Sequence, residues 1–316
     1  TPHIPIESAH TPPKSWYIRE EILALERARV FRSTWQYVCP LDRLRDPGSY
    51  VRFDLLGESY LVVRDEAGVL RALANVCRHH AAELAACDGK AHEIVCPYHG
   101  WTYALDGKLL RAPHMGAIRD FSREHFALPN IPVATLGPLV FVHLGQPARS
   151  PAQEWPELSP RFFSSEFPTL SSVARRSYPM ACNWKVFVDN YLDGGYHIDH
   201  LHHGLASQLA LASYRTECFE RGSIQSCSAD PDATFEGSDF RERIGPGARY
   251  AWLYPNFMVN RYGPILDVNY VRPISAGRCE VVFDYWFQDT EGEVARAFIE
   301  QSLVASDRVQ LEDVQI

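Results

Sequence analysis

The chain has 316 residues, a formal net charge of −8 and 22% charged residues, values typical of a globular protein with one or two domains. Its acidic balance argues against a nucleic-acid partner, because neutralising phosphates requires clustered Lys and Arg. No apolar run approaches the roughly 20 residues that a membrane span requires, so we expect no membrane association.

The first half of the chain is predicted to be β-rich after a helical start. Apolar residues at helical spacing predict a helix over Ser15–Phe31. Between residues 35 and 143, short β-rich runs alternate with turn signals, and Asp106-Gly107 is a hairpin-turn candidate. Residues 145–160 are rich in Pro, Ser and Gln and indicate a linker or crossing segment.

The second half mixes predicted helices with predicted strands. A helix is expected around Trp184–Leu192, and another closes the chain over Glu291–Ile316. Strand candidates lie between them at Tyr250–Tyr254, Val268–Val271 and Cys279–Trp286. The sequence therefore predicts an α+β fold, with a small all-β domain followed by a domain in which helices cover an antiparallel sheet.

Eight cysteines could suggest a disulfide scaffold, but their spacing and the absence of a visible secretory signal argue against one. We therefore expect a reducing compartment, the cytoplasm. Two of these cysteines form a pattern with histidines: Cys77 and His79 precede Cys96 and His99, with 16 residues between the two pairs. Two thiolates and two imidazoles suit a Rieske [2Fe–2S] cluster, although the same ligand types also suit a structural zinc site.

The residues around these ligands resemble the two cluster-binding loops of Rieske oxygenases. The first stretch is Asn75-Val76-Cys77-Arg78-His79, and the second runs from Cys96 to Trp101. The resemblance implies that Cys77, His79, Cys96 and His99 bind the cluster. Rieske proteins of respiratory complexes add a disulfide between the loops, and Ala82 and Tyr98 stand at those positions here. That class is therefore disfavoured.

A second histidine-rich segment lies at residues 183–203, with four histidines and three aspartates. Two histidines and one carboxylate can bind Fe(II) on one side and leave positions open for oxygen and substrate. Spacing does not decide which histidines take part. His197 and His202 are five residues apart and would not share a regular helix face, whereas His200 and His203 would.

This segment also resembles the iron-binding segment of Rieske oxygenase α-subunits, through Asn183-Trp184-Lys185, Asp189-Asn190 and Tyr196-His197-x₄-His202. The resemblance implies His197 and His202 as ligands of a mononuclear Fe(II). It implies Asp313 as the third ligand, with Glu312 as the alternative. The Asp313 position shares a helix face with Val309, where a charge is costly unless it is paired or metal-bound.

Two further residues are implied as catalytic by the same resemblance, Asp193 and Asn190. Asp193 would connect His197 to the cluster residue His99 of a neighbouring subunit. Many relatives carry this acid three residues before the iron histidine, where this chain has Gly194. The domain boundaries that follow are an N-terminal segment and helix at 1–34, a Rieske domain at 35–147 and a catalytic domain at 148–316.

Within the family, the chain looks most like oxygenases of quaternary-ammonium compounds, such as choline monooxygenases. Segments 186–197, 254–264 and 282–285 carry this likeness. It implies a homotrimeric monooxygenase that uses O₂ and electrons from a ferredoxin or flavin reductase. The enzyme would hydroxylate or N-demethylate a small cationic substrate. Two alternatives are an aromatic-ring-hydroxylating dioxygenase α-subunit and a non-enzymatic Rieske electron carrier.

Overall fold

The computed structural model describes residues 5–163, 170–193, 195, 209–230 and 244–314. The chain forms two compact units, and both are discontinuous in sequence. One unit comprises residues 30–173 and 286–288, and the other comprises 1–29, 174–285 and 289–316. The sequence-based boundaries at residues 34 and 147 stay a prediction about the domains.

The predicted N-terminal helix forms in two pieces. These are helix α1 (Ser15–Ile18) and helix α2 (Glu20–Arg29). Arg19 separates them because its backbone is extended, with φ −103° and ψ 126°. Leu23 is the buried residue of α2. The expectation of helix is confirmed, with a break that propensity alone does not indicate.

The unit built on residues 30–173 consists mainly of β-sheets, as predicted. Three sheets form it, with orders β1-β11-β10, β5-β2-β3-β4-β9 and β6-β7-β8, and every strand pairing we observe in them is antiparallel. The strands are β1 (Gln36–Pro40), β2 (Ser49–Leu55), β3 (Glu58–Arg64), β4 (Leu70–Ala74), β5 (Gly89–Lys90), β6 (Glu93–Val95), β7 (Thr102–Ala104), β8 (Leu109–Arg111), β9 (Asn130–Ile131), β10 (Val133–Leu136) and β11 (Leu139–Val142).

The hairpin predicted at Asp106-Gly107 is confirmed between β7 and β8. Tyr103 pairs with Leu109 across it. Gly107 has a positive φ of 90°, which glycine adopts without steric cost. The Asp106 side chain accepts a hydrogen bond from the backbone N–H of Lys108 at 3.0 Å and fixes the turn.

The segment at 145–160, for which a linker or crossing segment was predicted, is partly helical. It contains helix α3 (Pro151–Glu154), and helix α4 (Leu158–Phe162) begins within it. Ser150 and Gln153 form a capping box at the start of α3. Trp155 is 1% exposed and anchors the segment in the core. The Pro and Ser content that suggested a linker belongs to these helix starts.

The second unit is organised around a seven-stranded sheet of order β12-β18-β17-β16-β15-β14-β13. Strands β13 to β17 follow one another as antiparallel neighbours. The predicted strands at 268–271 and 279–286 are confirmed within longer ones, and the strand predicted at 250–254 is confirmed as β15, which begins earlier and ends at Leu253. The elements are β12 (Ser171–Met180), α5 (Trp184–Leu192), β13 (Arg215–Phe219), β14 (Gly222–Ser228), β15 (Gly247–Leu253), β16 (Phe257–Tyr262), β17 (Ile265–Ser275), β18 (Arg278–Phe287) and α6 (Gly292–Val314).

The predicted α+β fold class is confirmed. Helix α6 carries buried polar residues that indicate a functional site. Its buried positions include Ser302, Ser306 and Gln310, which are spaced four residues apart. The Ser306 hydroxyl lies 2.8 Å from the hydroxyl of Tyr285 on β18. A helix that packs on a sheet normally buries an apolar stripe. A polar stripe indicates a site rather than packing alone.

Candidate metal centres and active-site cavity

The first candidate centre lies on two loops with the same backbone pattern. In the first loop, Cys77 N donates to Ala82 O at 2.8 Å, and Ala81 N donates back to Cys77 O at 3.0 Å. Ala81 adopts a positive φ of 58°. The loop therefore turns tightly around the cysteine. His79 lies at its tip.

The second loop repeats this arrangement around Cys96. Cys96 N donates to Trp101 O at 2.7 Å, and Gly100 N donates to Cys96 O at 3.1 Å. Gly100 takes the positive-φ position with φ 71°. Both sulfur-bearing residues are buried, Cys77 at 2% and Cys96 at 3% exposure. Two buried thiols on matched loops leave the histidines at the outer side.

The histidines meet at these loop tips. The rings of His79 and His99 have their centroids 4.8 Å apart. His80 joins them, since one nitrogen of each of the three rings lies within 4.8 Å of those of the other two. The sequence predicted His79 and His99 as ligands, whereas the position of His80 beside them follows only from the structure. His80 is exposed.

The environment of His79 favours its neutral form. Its ring stacks on Trp101 with centroids 4.6 Å apart and an interplanar angle of 7°. Desolvation first, and then the charges of His80 and His99, hold the pKa of His79 below its ordinary value. Its Nδ1 atom is buried without a hydrogen-bond partner among the described residues. A neutral imidazole with an unused nitrogen is the form that binds metals.

Tyr103 contacts the sulfur of the first loop. Its hydroxyl lies 3.3 Å from Cys77 Sγ and accepts a hydrogen bond from Arg78 N at 3.0 Å. Burial, followed by this contact with Cys77, raises the pKa of Tyr103 above its ordinary value. The phenol is therefore protonated and can donate to a thiolate. The sequence gave no signal for this pairing.

The second candidate centre begins at helix α5, which the N-terminal helices hold in place. Asn183 caps the helix by accepting from Lys185 N at 3.1 Å. Glu26 of α2 accepts from Trp184 Nε1 at 2.8 Å and pairs with Lys185 Nζ at 2.6 Å. The Asn183-Trp184-Lys185 motif thus has a structural role at the start of α5. By fixing the start of α5, these contacts also fix the position of its C-terminal end.

The two predicted catalytic residues lie near that other end. Asp193 follows the last residue of α5, is exposed, and accepts from Gly195 N at 3.0 Å. Asn190 lies one turn earlier, and its Nδ2 is 3.4 Å from Oδ1 of Asp313 on α6. The structure thus brings Asn190 and Asp313 together. The predicted ligands His197 and His202, with the alternatives His200 and His203, lie outside the described residues.

A cavity of about 150 Å³ lies beside Asp313. Asn190, Gly195 and Val309 line it together with Asp313, whereas Asp193 is not among the lining residues that the structure describes. An apolar cavity of comparable volume holds a molecule of benzene's size. The wall here is mixed, since rings such as Tyr214 alternate with amide groups. The cavity therefore suits a small ligand with polar character.

One row of side chains crosses four strands and lines this cavity. Gln225, Tyr250, Asn260 and Asp267 are direct register partners from β14 to β17, and all four belong to the lining. The sequence did not single out any of the polar members. A signal was available, because Asp267 interrupts the otherwise apolar start of β17, and a charge in a buried strand is costly without a purpose.

Comparison with known proteins identifies the family. Residues 34–122 match the Rieske [2Fe-2S] domain family, and residues 167–316 match the catalytic domain of ring-hydroxylating α-subunits. The choline monooxygenase of Arabidopsis thaliana is 42% identical over 327 aligned residues, which cover 100% of this chain and 76% of that protein. The chain belongs to the Rieske non-haem iron oxygenases.

Two further relatives agree with this placement. The oxygenase subunit of carnitine monooxygenase from Acinetobacter pittii (strain PHEA-2) is 29% identical over 90% of this chain and 77% of its own length. The crystal structure of the quaternary ammonium Rieske monooxygenase CntA with L-carnitine superposes with a TM-score of 0.82. That match has 26% identity and covers 96% of this chain and 82% of the other.

This Rieske oxygenase is an oxidoreductase, and its relatives are monooxygenases, as the sequence predicted. The family implies both cofactors, a [2Fe–2S] cluster and a mononuclear iron. No helix in the described ranges combines the length and apolarity that crossing a membrane would require.

The residues present fit both groups. For the cluster, the two buried thiols and the unpartnered Nδ1 of His79 are donors of the required kinds. For the iron, the described part of the site offers the Asp313 carboxylate, partly buried beside the cavity and hydrogen-bonded by Asn190. Such a hydrogen bond orients a ligating carboxylate.

Proposed function

We propose that this chain is the oxygenase component of a monooxygenase that acts on a small quaternary-ammonium compound of the choline type. The carrying observation is the cavity beside Asp313, whose wall combines aromatic rings with buried polar groups. Aromatic faces bind cations that donate no hydrogen bonds, and polar groups orient a hydroxyl. The relatives named above act on choline and carnitine, which agrees with this chemistry.

Cys77, His79, Cys96 and His99 would hold the cluster, and His197, His202 and Asp313 would hold the iron. When bound, the cluster stores single electrons and the iron offers open positions for O₂. The burial of Cys77 and Cys96 keeps solvent from the sulfurs, while His99 remains exposed. Exposure of this residue supports electron exchange with another protein surface.

Asn190 and Asp193 would position the reacting groups. Asn190 restrains the Asp313 carboxylate through its amide, which keeps that ligand oriented toward the cavity. Asp193 is exposed at the end of α5 and is proposed to hydrogen-bond His197 and the partner-subunit copy of His99. That role requires an oligomer, and we propose a homotrimer. Inter-subunit electron transfer described for CntA supports this arrangement.

The chain would take its electrons from a ferredoxin or a flavin reductase, as its membership of the Rieske oxygenases implies. A cytoplasmic location stays a prediction from the cysteine usage. Hydroxylation of the carbon that bears a primary alcohol would give a geminal diol, an aldehyde hydrate. Hydroxylation of an N-methyl group would give a hemiaminal that loses formaldehyde.

The test is oxygen uptake and product analysis by the iron-loaded enzyme with a reductase and a panel of substrates. The panel contains choline, betaines, carnitine and arenes. We expect uptake coupled to an aldehyde or formaldehyde product with at least one quaternary-ammonium compound. Coupled uptake with arenes alone, giving dihydrodiols, would contradict the proposal and favour the ring-hydroxylating alternative. The matched control is Asp313→Asn, which we expect to be inactive with every substrate.

A further inference from the structure

Among the lining residues that the structure describes, one carboxylate besides Asp313 belongs to the cavity wall, and it is deeply buried. Asp267 on β17 is 2% exposed and lines the cavity. Transfer of an ionised carboxylate from water into such surroundings is unfavourable unless other groups compensate. A buried acid at the wall of a ligand cavity therefore has a chemical purpose or a strong local reason to be there.

Neutral donors surround Asp267. Its Oδ1 accepts from Asn260 Nδ2 at 2.6 Å and from Asn269 Nδ2 at 3.3 Å, and its Oδ2 accepts from the hydroxyl of Tyr262. Hydrogen bonds donated to a carboxylate favour its charged form. Three donors therefore compensate the burial of this carboxylate at the cavity wall.

Aromatic rings line the same cavity. Tyr262 lies on β16, the strand next to that of Asp267, and Tyr250 lies one strand further away on β15. Phe187 and Phe283 line the wall from α5 and β18. A quaternary ammonium group donates no hydrogen bonds, so a carboxylate whose oxygens already accept from amides and a phenol still attracts it through charge. Ring faces then surround the methyl groups. A primary or secondary ammonium would instead need free acceptors.

We infer that Asp267 is the counter-ion that selects a quaternary-ammonium head group in this cavity, with the alcohol or acid end of the substrate directed toward Asp313. The inference rests on the proposed function and deepens it. Asp267 is a substrate-binding residue here, distinct from the residues proposed to hold the metals. It also explains the polar Asn260 in this row, because its amide donates a hydrogen bond to the Asp267 carboxylate.

The experiment measures binding of choline and of its uncharged isostere 3,3-dimethylbutan-1-ol to the iron-loaded enzyme without oxygen, by calorimetry. In the wild type we expect choline to bind about tenfold more tightly or better. In Asp267→Asn the two ligands should bind within about threefold of each other, because the charge is lost and the shape is kept. Asp267→Glu should restore part of the preference.

The matched control is Asp289→Asn, which removes one negative charge from an exposed position outside the cavity. This variant should leave the ratio of the two dissociation constants, for choline and for 3,3-dimethylbutan-1-ol, at its wild-type value. Equal binding of both ligands by the wild type would overturn the inference whether or not Asp267→Asn folds. A choline preference retained in folded Asp267→Asn would overturn it too and would leave the proposed function intact. A wild type that neither binds nor oxidises any quaternary-ammonium compound would overturn both.

Discussion

The two candidate metal centres of this chain are built in opposite ways. The cluster loops are local, since Cys77 and Cys96 each close a tight turn with the same pair of backbone hydrogen bonds. The cavity beside Asp313 is assembled from α5, α6 and five strands, β14 to β18, which are contributed by different parts of the sequence. The first site is defined by loop geometry, and the second by the packing of a whole unit.

This difference determines which sequence changes each site can accommodate. A local loop holds its donor atoms through its own backbone, so a site of this kind depends on a few residue types at fixed spacing. The cavity depends on register, because a shift of one residue along β17 would turn Asp267 to the other face of the sheet. The chemistry of the cluster can therefore stay constant while the cavity wall varies with the substrate.

The largest effect is expected from removing a cluster ligand. His79→Ala should abolish turnover, because the unpartnered Nδ1 of His79 is proposed as an iron ligand. Iron content should fall from about three to about one per chain, and the visible cluster absorption should disappear. The control is His92→Ala, an exposed histidine that lies 2.8 Å from Glu66. Retention of the cluster spectrum in His79→Ala would exclude His79 as a ligand.

The complementary change affects the other centre alone. Asp313→Ala should leave the cluster absorption unchanged, lower the iron content from about three to about two per chain and reduce turnover by roughly 100-fold or more. The control is Glu300→Gln, which alters an exposed acid on the same helix. Loss of both iron species in Asp313→Ala would show that the two sites are not independent, against the comparison drawn above.

A stability effect is expected from the ion pair that supports the catalytic sheet. Arg175 donates to both oxygens of Asp284 at 2.8 and 2.6 Å, and the Asp284 side chain is 2% exposed. Arg175→Met should lower the free energy of unfolding by about 3 kcal/mol, because it leaves a buried carboxylate without this partner. Denaturant unfolding measures the effect. Arg176→Met, at a more exposed pair whose atoms lie 3.9 Å apart, should change the free energy of unfolding by less than about 1 kcal/mol.

The smallest effect concerns the cluster potential. Tyr103→Phe removes the hydroxyl that lies 3.3 Å from Cys77 Sγ. Because hydrogen bonds to the sulfurs raise the reduction potential, we expect a decrease on the order of tens of millivolts with the cluster retained. Spectroscopic redox titration measures it. Tyr60→Phe, whose hydroxyl contacts Glu58 instead, is the control and should leave the potential unchanged.

The sequence predicted the local features better than the assembled ones. The hairpin at Gly107, helix α5 and helix α6 follow from turn chemistry and periodicity, which act over a few residues. The strands β14 and β16 were missed because they carry polar residues such as Gln225 and Asn260 where a buried strand is expected to be apolar. These residues serve the cavity, so the pattern fails where function replaces packing.

The candidate sites divide in the same way. Cys77 and Cys96 were recognisable because their motif is short. Asp267 interrupts an apolar run in the sequence, but its place in the cavity wall became visible only once the register of β16 and β17 was known. His80 shows a further limit of prediction from sequence, since it lies near His79 and His99 without belonging to the motif. Spatial proximity created by a loop is not encoded in spacing alone.

The most direct test of the two-centre account is metal and sulfide analysis of the purified enzyme together with its visible spectrum. The account predicts about three irons and about two acid-labile sulfides per chain, with the absorption of a Rieske cluster. About one zinc per chain, with no sulfide and no visible absorption, would contradict it.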